Sequence, residues 1–260
     1  MIIEVSKKSD VIKDLIRNLK NNQLKHKTIV DDLFALEVAL KNGNTLFEFY
    51  YASDYPYRAD AEALKKAFIQ KALKVYQVST KTMASLLQKD NASMMIAIVE
   101  IPAKSLLTFK DKDFIVVTDK IELPGNLGTI IRTMDGVGAQ GLISVDPFTK
   151  LNNPKLVHTS RGMNLITDSY EGSYQEVLDF LQKNHFTIYL GEPKLGHSYY
   201  DLDYKGKIAI VVGSERYGIN PDWYNHHHEK VYIPMEGIMT SLNVGVATSI
   251  LLYEAYKKRK

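Results

Sequence analysis

The sequence predicts a two-part α/β protein whose larger, C-terminal part is built on a mostly parallel sheet. Three observations predict it. Five nearly all-apolar stretches, FIVVTD, GLISV, FTIYLG, KIAIVVG and KVYIPM, lie between residues 114 and 235, and such runs mark strands buried on both faces. Stretches of helical periodicity separate them, as crossovers between parallel strands require. The first hundred residues carry a shorter alternation of their own, closed by Pro102 and the irregular PAKSLLTFKDKD. The expected domains are residues 1–101 and 113–260, with 102–112 as a linker.

The elements follow in order. SDVIKDLIRNLKN places Val11, Ile12, Leu15, Ile16 and Leu19 at helical spacing behind a serine cap, and DDLFALEVALKNG opens on aspartate and stops at Gly43. TLFEFYYA and ALKVYQVS read as strands, RADAEALKKAFIQK and STKTMASLLQK as helices, and SMMIAIVEI as a strand running to Pro102. In the second part, helices are expected at 127–137, 154–161 and 174–184, with a closing amphipathic helix that begins near SLNVGVA.

Composition bounds the chemistry. Of 260 residues, 45% are hydrophobic and 24% charged, which suits a soluble globular chain. There is no cysteine, so disulfides, thiolate metal sites and cysteine nucleophiles are excluded. Together with the lack of a signal-like apolar N-terminus or a membrane-length apolar run, this points to the cytoplasm. Charge is uneven. Residues 1–110 hold 17 Lys and Arg against 12 Asp and Glu, whereas 111–256 hold 12 against 18, before the basic tail KKRK. A basic front suits a polyanion, and a solvated surface explains the bias equally well. The triplet His226-His227-His228 has no accompanying ligand pattern, so no metal is expected. EFYYASDYPYR could stack on RNA bases or be a half-buried strand.

Ligands of parallel sheets sit beyond the carboxyl ends of the strands, and three loops there carry polar residues and glycines. PGNLGTIIR places Asn126 where a helix cap is favoured and Arg132 six residues later, where a guanidinium could meet phosphate. VVGSERYG places Gly213, Ser214, Glu215 and Gly218 at a strand exit. YIPMEGIMTSLNVGVA leads to Ser241 and Asn243 at a helix start, where Ser241 alone reads as an N-cap. The dinucleotide fingerprint G-x-G-x-x-G is absent from the first loop, which argues against a nucleotide-dependent oxidoreductase.

Taken together, in this order and each after an apolar strand, the three loops resemble the TrmH/SpoU branch of the SPOUT RNA methyltransferases. The resemblance spans 114–258, and the front unit looks like the ribosomal-protein-L30e-like substrate-binding domain found before it. It implies a trefoil-knotted parallel-sheet domain, S-adenosylmethionine as cofactor, and a homodimer formed through the C-terminal domain. The implied reaction is methylation of a ribose 2′-hydroxyl. Residue by residue, it implies catalytic roles for Asn126, Arg132, Glu215, Ser241 and Asn243. It implies cofactor contacts at Leu190, Gly191, Gly213, Ser214, Glu215, Ile233, Met235, Ser241 and Leu242. By analogy the front domain favours ribosomal over transfer RNA; a tRNA enzyme and a non-catalytic RNA-binding homologue are the alternatives. The chain departs from the family pattern at Asp31 and Asp32, at Arg161 within HTSRGMN, at Arg216 and Tyr217, and at Gly245.

Overall fold

Apolar residues spaced for one buried face or for two sort the chain into two α/β units, which the computed structural model describes over residues 2–21, 24–87, 93–101 and 104–260. The first unit gathers the chain up to Pro102 together with Asn152–Ile166. Its elements are β1 (Ile2–Glu4), α1 (Asp10–Asn21), β2 (Lys27–Val30), α2 (Leu33–Lys41), β3 (Leu46–Ala52), α3 (Ala59–Lys71), β4 (Lys74–Val78), α4 (Thr80–Leu86) and β5 (Met95–Glu100). The five strands form a mixed sheet in the order β1-β4-β3-β5-β2, with β5 antiparallel to both neighbours. The tyrosine-rich run is the strand alternative. Tyr50 and Tyr51 are buried, and Tyr50 stacks on Tyr76 at 4.8 Å. Asp32 caps α2 by accepting from the Ala35 amide at 3.0 Å, and Ser79 caps α4 through the Thr82 amide at 3.2 Å. Gln88 and Lys89, the end expected for the fourth helix, lie outside the described residues.

The second unit holds β6 (Phe114–Asp119), α5 (Pro124–Val137), β7 (Gly141–Val145), β8 (Ser169–Gly172), α7 (Tyr174–Lys183), β9 (Thr187–Glu192), β10 (His197–Ser198), β11 (Ile208–Gly213), β12 (Glu229–Tyr232) and α8 (Val244–Arg259). Its seven strands are parallel throughout, in the order β10-β12-β9-β11-β6-β7-β8. The pleat divides each apolar run between two faces. Ile115, Val117, Ile188, Leu190, Ala209 and Val211 meet Val177, Leu178 and Leu181 of α7. On the other face lie α5 and α8, packed tightly enough that a Cβ on Gly245 would sit 3.2 Å from Thr129.

Two expected boundaries differ from the structure. The segment between β7 and β8, with α6 (Pro154–Thr159) and a 3₁₀ turn at Met163–Leu165, packs with the first unit. Val157 and Leu165 bury in that unit's core, and Asn44 donates to the Leu165 carbonyl at 3.0 Å. The second domain is thus not continuous over 113–260. The expected linker is also not free. Pro102 and Ala103 lie outside the described residues, but 104–112 belongs to the second unit, where Phe109 is fully buried. Its ring fills the space beside Gly141, where a Cβ would come within 2.5 Å. Short strands β1, β2, β8 and β10 were not legible, because none offers an apolar run long enough to show alternation.

Phe109→Ala is therefore expected to cost about 3–5 kcal/mol in urea unfolding of the full chain. A loss under about 0.5 kcal/mol, normal for an exposed position, would restore the linker reading.

Candidate active site

The carboxyl ends of β12, β9 and β11 adjoin in the sheet and open onto one cavity of about 360 Å³. Gly191 and Glu192 enter it from β9, Gly213 to Glu215 from β11, and Ile233 and Met235 from the segment after β12. Ser241 and Leu242 close it just before α8, and Val212, Ile219, Val231, Val244 and Leu251 supply an apolar lining. The only charged side chains in the lining are Glu192 and Glu215. Leu190 is not part of it. It is fully buried against α7, because the pleat that turns Gly191 toward α8 turns its neighbour the other way.

Gly213 is needed by the chain itself. A Cβ there would lie 2.1 Å from the Gly218 carbonyl carbon, since residues 214–218 fold back into a tight turn. Gly218 takes φ +68°, the left-handed region glycine tolerates. Ser214 holds the turn. Its hydroxyl accepts from the Tyr217 amide at 3.0 Å and its carbonyl from the Gly218 amide at 2.9 Å.

Beside the cavity, the three polar loops meet in one hydrogen-bonded triangle. Asn243 is the N-cap of α8. Its Oδ1 accepts from the amides of Gly245 at 3.0 Å and Val246 at 3.3 Å. That leaves Nδ2 to donate to Asn126 Oδ1 at 3.0 Å and to Glu215 Oε1 at 3.3 Å. Asn126 Nδ2 donates to the same Glu215 oxygen. Two expectations change here. Asn126 does not cap α5, which begins at Pro124 behind Leu123; it sits within the first turn, so its amide is free for the triangle. Ser241 does not cap α8; it lies two residues ahead of the cap, exposed at the cavity mouth. Arg132 is exposed on α5, about 9 Å further along the helix axis than Asn126. It is not in the cavity lining and has no ion pair among the described residues.

Sequence reasoning missed Glu192 and Tyr224. The Tyr224 hydroxyl donates to Glu192 Oε1, and burial together with that carboxylate pushes the phenol well above its ordinary range, so it stays a donor. Glu192 closes β9, and the rule that ligands sit beyond the carboxyl ends of parallel strands could have found it. Asp119 was also missed. It is wholly buried at the end of β6, beside Gly213, and its Oδ2 accepts from the Asn220 amide at 2.8 Å and from Trp223 Nε1 at 3.1 Å. It thereby anchors the loop that carries Ile219 and Tyr224 into the cavity. Burial raises its carboxyl above the ordinary 3.8 despite those two bonds, and its Oδ1 has no hydrogen-bond partner among the described residues. No group of His, Asp and Glu among the described residues is placed to hold a metal ion.

Comparison with known proteins bears on this site. Residues 113–253 match the SpoU rRNA Methylase family. The chain is 23% identical over 250 residues to the 23S rRNA (guanosine(2553)-2'-O)-methyltransferase RlmP of Bacillus subtilis (strain 168), covering 95% of this chain and 96% of that one. It is 30% identical over 159 residues to the tRNA (guanosine(18)-2'-O)-methyltransferase of Aquifex aeolicus (strain VF5), covering 60% of this chain and 75% of the relative. Among solved structures, an RNA 2'-O ribose methyltransferase superposes with a TM-score of 0.82 at 26% identity, over 99% of both chains.

Two outcomes follow from this geometry. Asn243→Asp keeps an equally good cap but replaces a donor by a second carboxylate 3.3 Å from Glu215. It should destabilise the protein more than Asn243→Ser in urea unfolding; the reverse order would mean that Asn243 acts as a cap alone. Asp119→Ala leaves the Trp223 and Asn220 donors unpaired and should cost about 1–3 kcal/mol, whereas Asp119→Asn keeps an acceptor. Because the folded chain holds the Asp119 proton more tightly than the unfolded chain, the wild type loses stability as pH rises above 3.8. Asp119→Asn should therefore gain on wild type over that window, and a pH-independent difference would contradict the assignment.

Proposed function

Because the chain belongs to the SpoU rRNA Methylase family, we propose that it transfers a methyl group from S-adenosylmethionine to a ribose 2′-hydroxyl of RNA, with ribosomal RNA as the substrate class. The observation that carries this reading is the Asn126–Glu215–Asn243 triangle, which joins the three family loops at the edge of the cavity. The cavity fits the cofactor on chemical grounds. S-adenosylmethionine carries a sulfonium and an ammonium, and the only charged lining groups are the carboxylates of Glu192 and Glu215. The rings of Tyr217 and Tyr224 flank an otherwise apolar space suited to a purine.

When bound, S-adenosylmethionine would supply an electrophilic methyl group whose C–S bond breaks as the ribose oxygen, its proton passing to solvent, forms the new C–O bond. The protein's share is placement. Gly191, Gly213, Ser214, Ile233, Met235 and Leu242 line the cofactor volume. The triangle fixes Glu215 and the start of α8, and the exposed Ser241 hydroxyl stands at the mouth where RNA arrives. A guanidinium presents a fixed fork of donors and no acceptor, so Arg132 serves as a phosphate clamp and stabilises the developing alkoxide rather than acting as a base.

Coverage supports ribosomal RNA. RlmP, an rRNA enzyme, aligns over 95% of the chain, front unit included, whereas the tRNA relative aligns over 60% and the rRNA enzyme RlmB over 59%. In this reading the first unit is an L30e-like RNA-binding domain, the second carries the trefoil knot, and two copies pair through the second unit. Ile238, Val246 and Tyr253, exposed on or just before α8, support the pairing. The cytoplasm is the expected compartment, and no described helix is long and apolar enough to cross a membrane.

Arg132→Ala should lower methyl incorporation into ribosomal RNA at least about 100-fold, with S-adenosylmethionine affinity by calorimetry unchanged. Normal turnover by the variant removes Arg132 from the mechanism. Incorporation by the wild type into transfer RNA alone overturns the substrate class.

A further inference from the structure

Two aromatic rings stand exposed beside the cavity: Phe148 lies outside its lining, and Tyr217, which flanks it, also turns its ring to solvent. Phe148, in the loop after β7, is 60% exposed, and Tyr217, in the turn after β11, is 57% exposed. Their centroids are 6.3 Å apart with the planes inclined at 43°. Arg216 extends the row. Its guanidinium lies 5.2 Å from the Tyr217 ring, is exposed, and makes no ion pair or hydrogen bond among the described residues. Large rings left in water at adjacent positions signal contact with something else.

The backbone beneath both rings is pinned. Asp146 adopts a left-handed φ of 43°, and its amide donates to the Gly172 carbonyl at 3.0 Å. Thr149 donates through its amide to the Ile121 carbonyl at 3.1 Å and through its hydroxyl to the Glu122 carbonyl at 2.6 Å. Phe148 is therefore presented from a loop anchored on both sides. Ser214 fixes the Tyr217 turn in the same way. Rings presented from anchored backbone lose little freedom when a flat ligand stacks on them.

We infer that Phe148, Tyr217 and Arg216 form a stacking site for an unpaired nucleobase of the RNA substrate, next to the point of methyl transfer. Tyr217 also lines the cavity, so a base stacked here places its own or an adjacent ribose at the mouth, near Ser241. Aromatic faces accept any base, and the free guanidinium is complementary to the phosphate that follows it. A paired base has no free face to offer, so the site selects nucleotides in loops or splayed-out strands. The stacking site rests on the RNA-methylation reading.

Phe148 provides the test, because it lies outside the cavity lining. Phe148→Ala should raise the RNA KM about 10-fold at unchanged S-adenosylmethionine affinity, and Phe148→Tyr should restore it. Phe148→Trp adds an exposed reporter to the single buried Trp223. Its fluorescence should be quenched by a short single-stranded oligoribonucleotide and not by the same sequence in a duplex. Equal quenching by both, or an unchanged KM for Phe148→Ala, overturns the stacking site while leaving the methylation reading intact. Absence of RNA methylation by the wild type overturns that reading instead. If Phe148→Ala converts a dimer to a monomer in sedimentation while the RNA KM stays unchanged, the patch is a contact between copies and the inference fails.

Discussion

One acceptor atom organises the end of the second unit where the cavity opens. Glu215 Oε1 takes hydrogen bonds from Asn126 and from Asn243, and Asn243 also bonds Asn126. The three residues come from the first turn of α5, the turn after β11 and the cap of α8, which are 117 positions apart at the extremes. A carboxylate accepting from two amides forms charge-assisted bonds, stronger than neutral ones. Removing any one member strands polar groups on the other two. The triangle thus fixes the start of α8, and through it the position of Ser241, Leu242 and Val244 around the cavity.

The remaining supports carry this constraint outward. Below the turn, Gly213 lets its strand pass against the Gly218 backbone at a separation no side chain allows. Asp119 holds the next stretch by its Asn220 amide and Trp223 indole bonds. Its raised carboxyl shows what a charge costs in that buried place. On the far wall, Glu192 and Tyr224 tie the exit of β9 to the same stretch. The cavity is therefore bounded by elements held mainly by hydrogen bonds at their ends, over a floor held by apolar packing.

The positions that differ from the family pattern have distinct physical meanings. Gly245 lies where α8 approaches Thr129 of α5 closely, so it is a packing glycine. Arg161 takes a left-handed φ of 54° and lays its guanidinium 5.1 Å over Phe34, within the first unit to which its segment belongs. Arg216 and Tyr217 face outward beside the cavity. Asp32 caps α2, Gly245 serves packing, Arg161 serves surface structure, and Arg216 and Tyr217 face solvent beside the cavity.

The sequence alone determined the parallel sheet of the second unit. Strands buried on both faces must be apolar along their whole length, so FIVVTD, KIAIVVG and their partners announce themselves. It also marked three polar, glycine-containing loops at strand exits, which the fold brings together beside one cavity. Only the tertiary structure decided how each residue serves. Local patterning made Asn126 and Ser241 caps; the fold assigned Asn126 to the triangle and gave the cap of α8 to Asn243. Periodicity could not show which face Leu190 takes, since both faces of β9 are buried. Nor could it show that Asn152–Ile166 leaves the second unit for the core of the first, or that Phe109 fills a gap beside Gly141. Local spacing records what a residue can do with its near neighbours, while partners brought together across a hundred positions are set by packing alone.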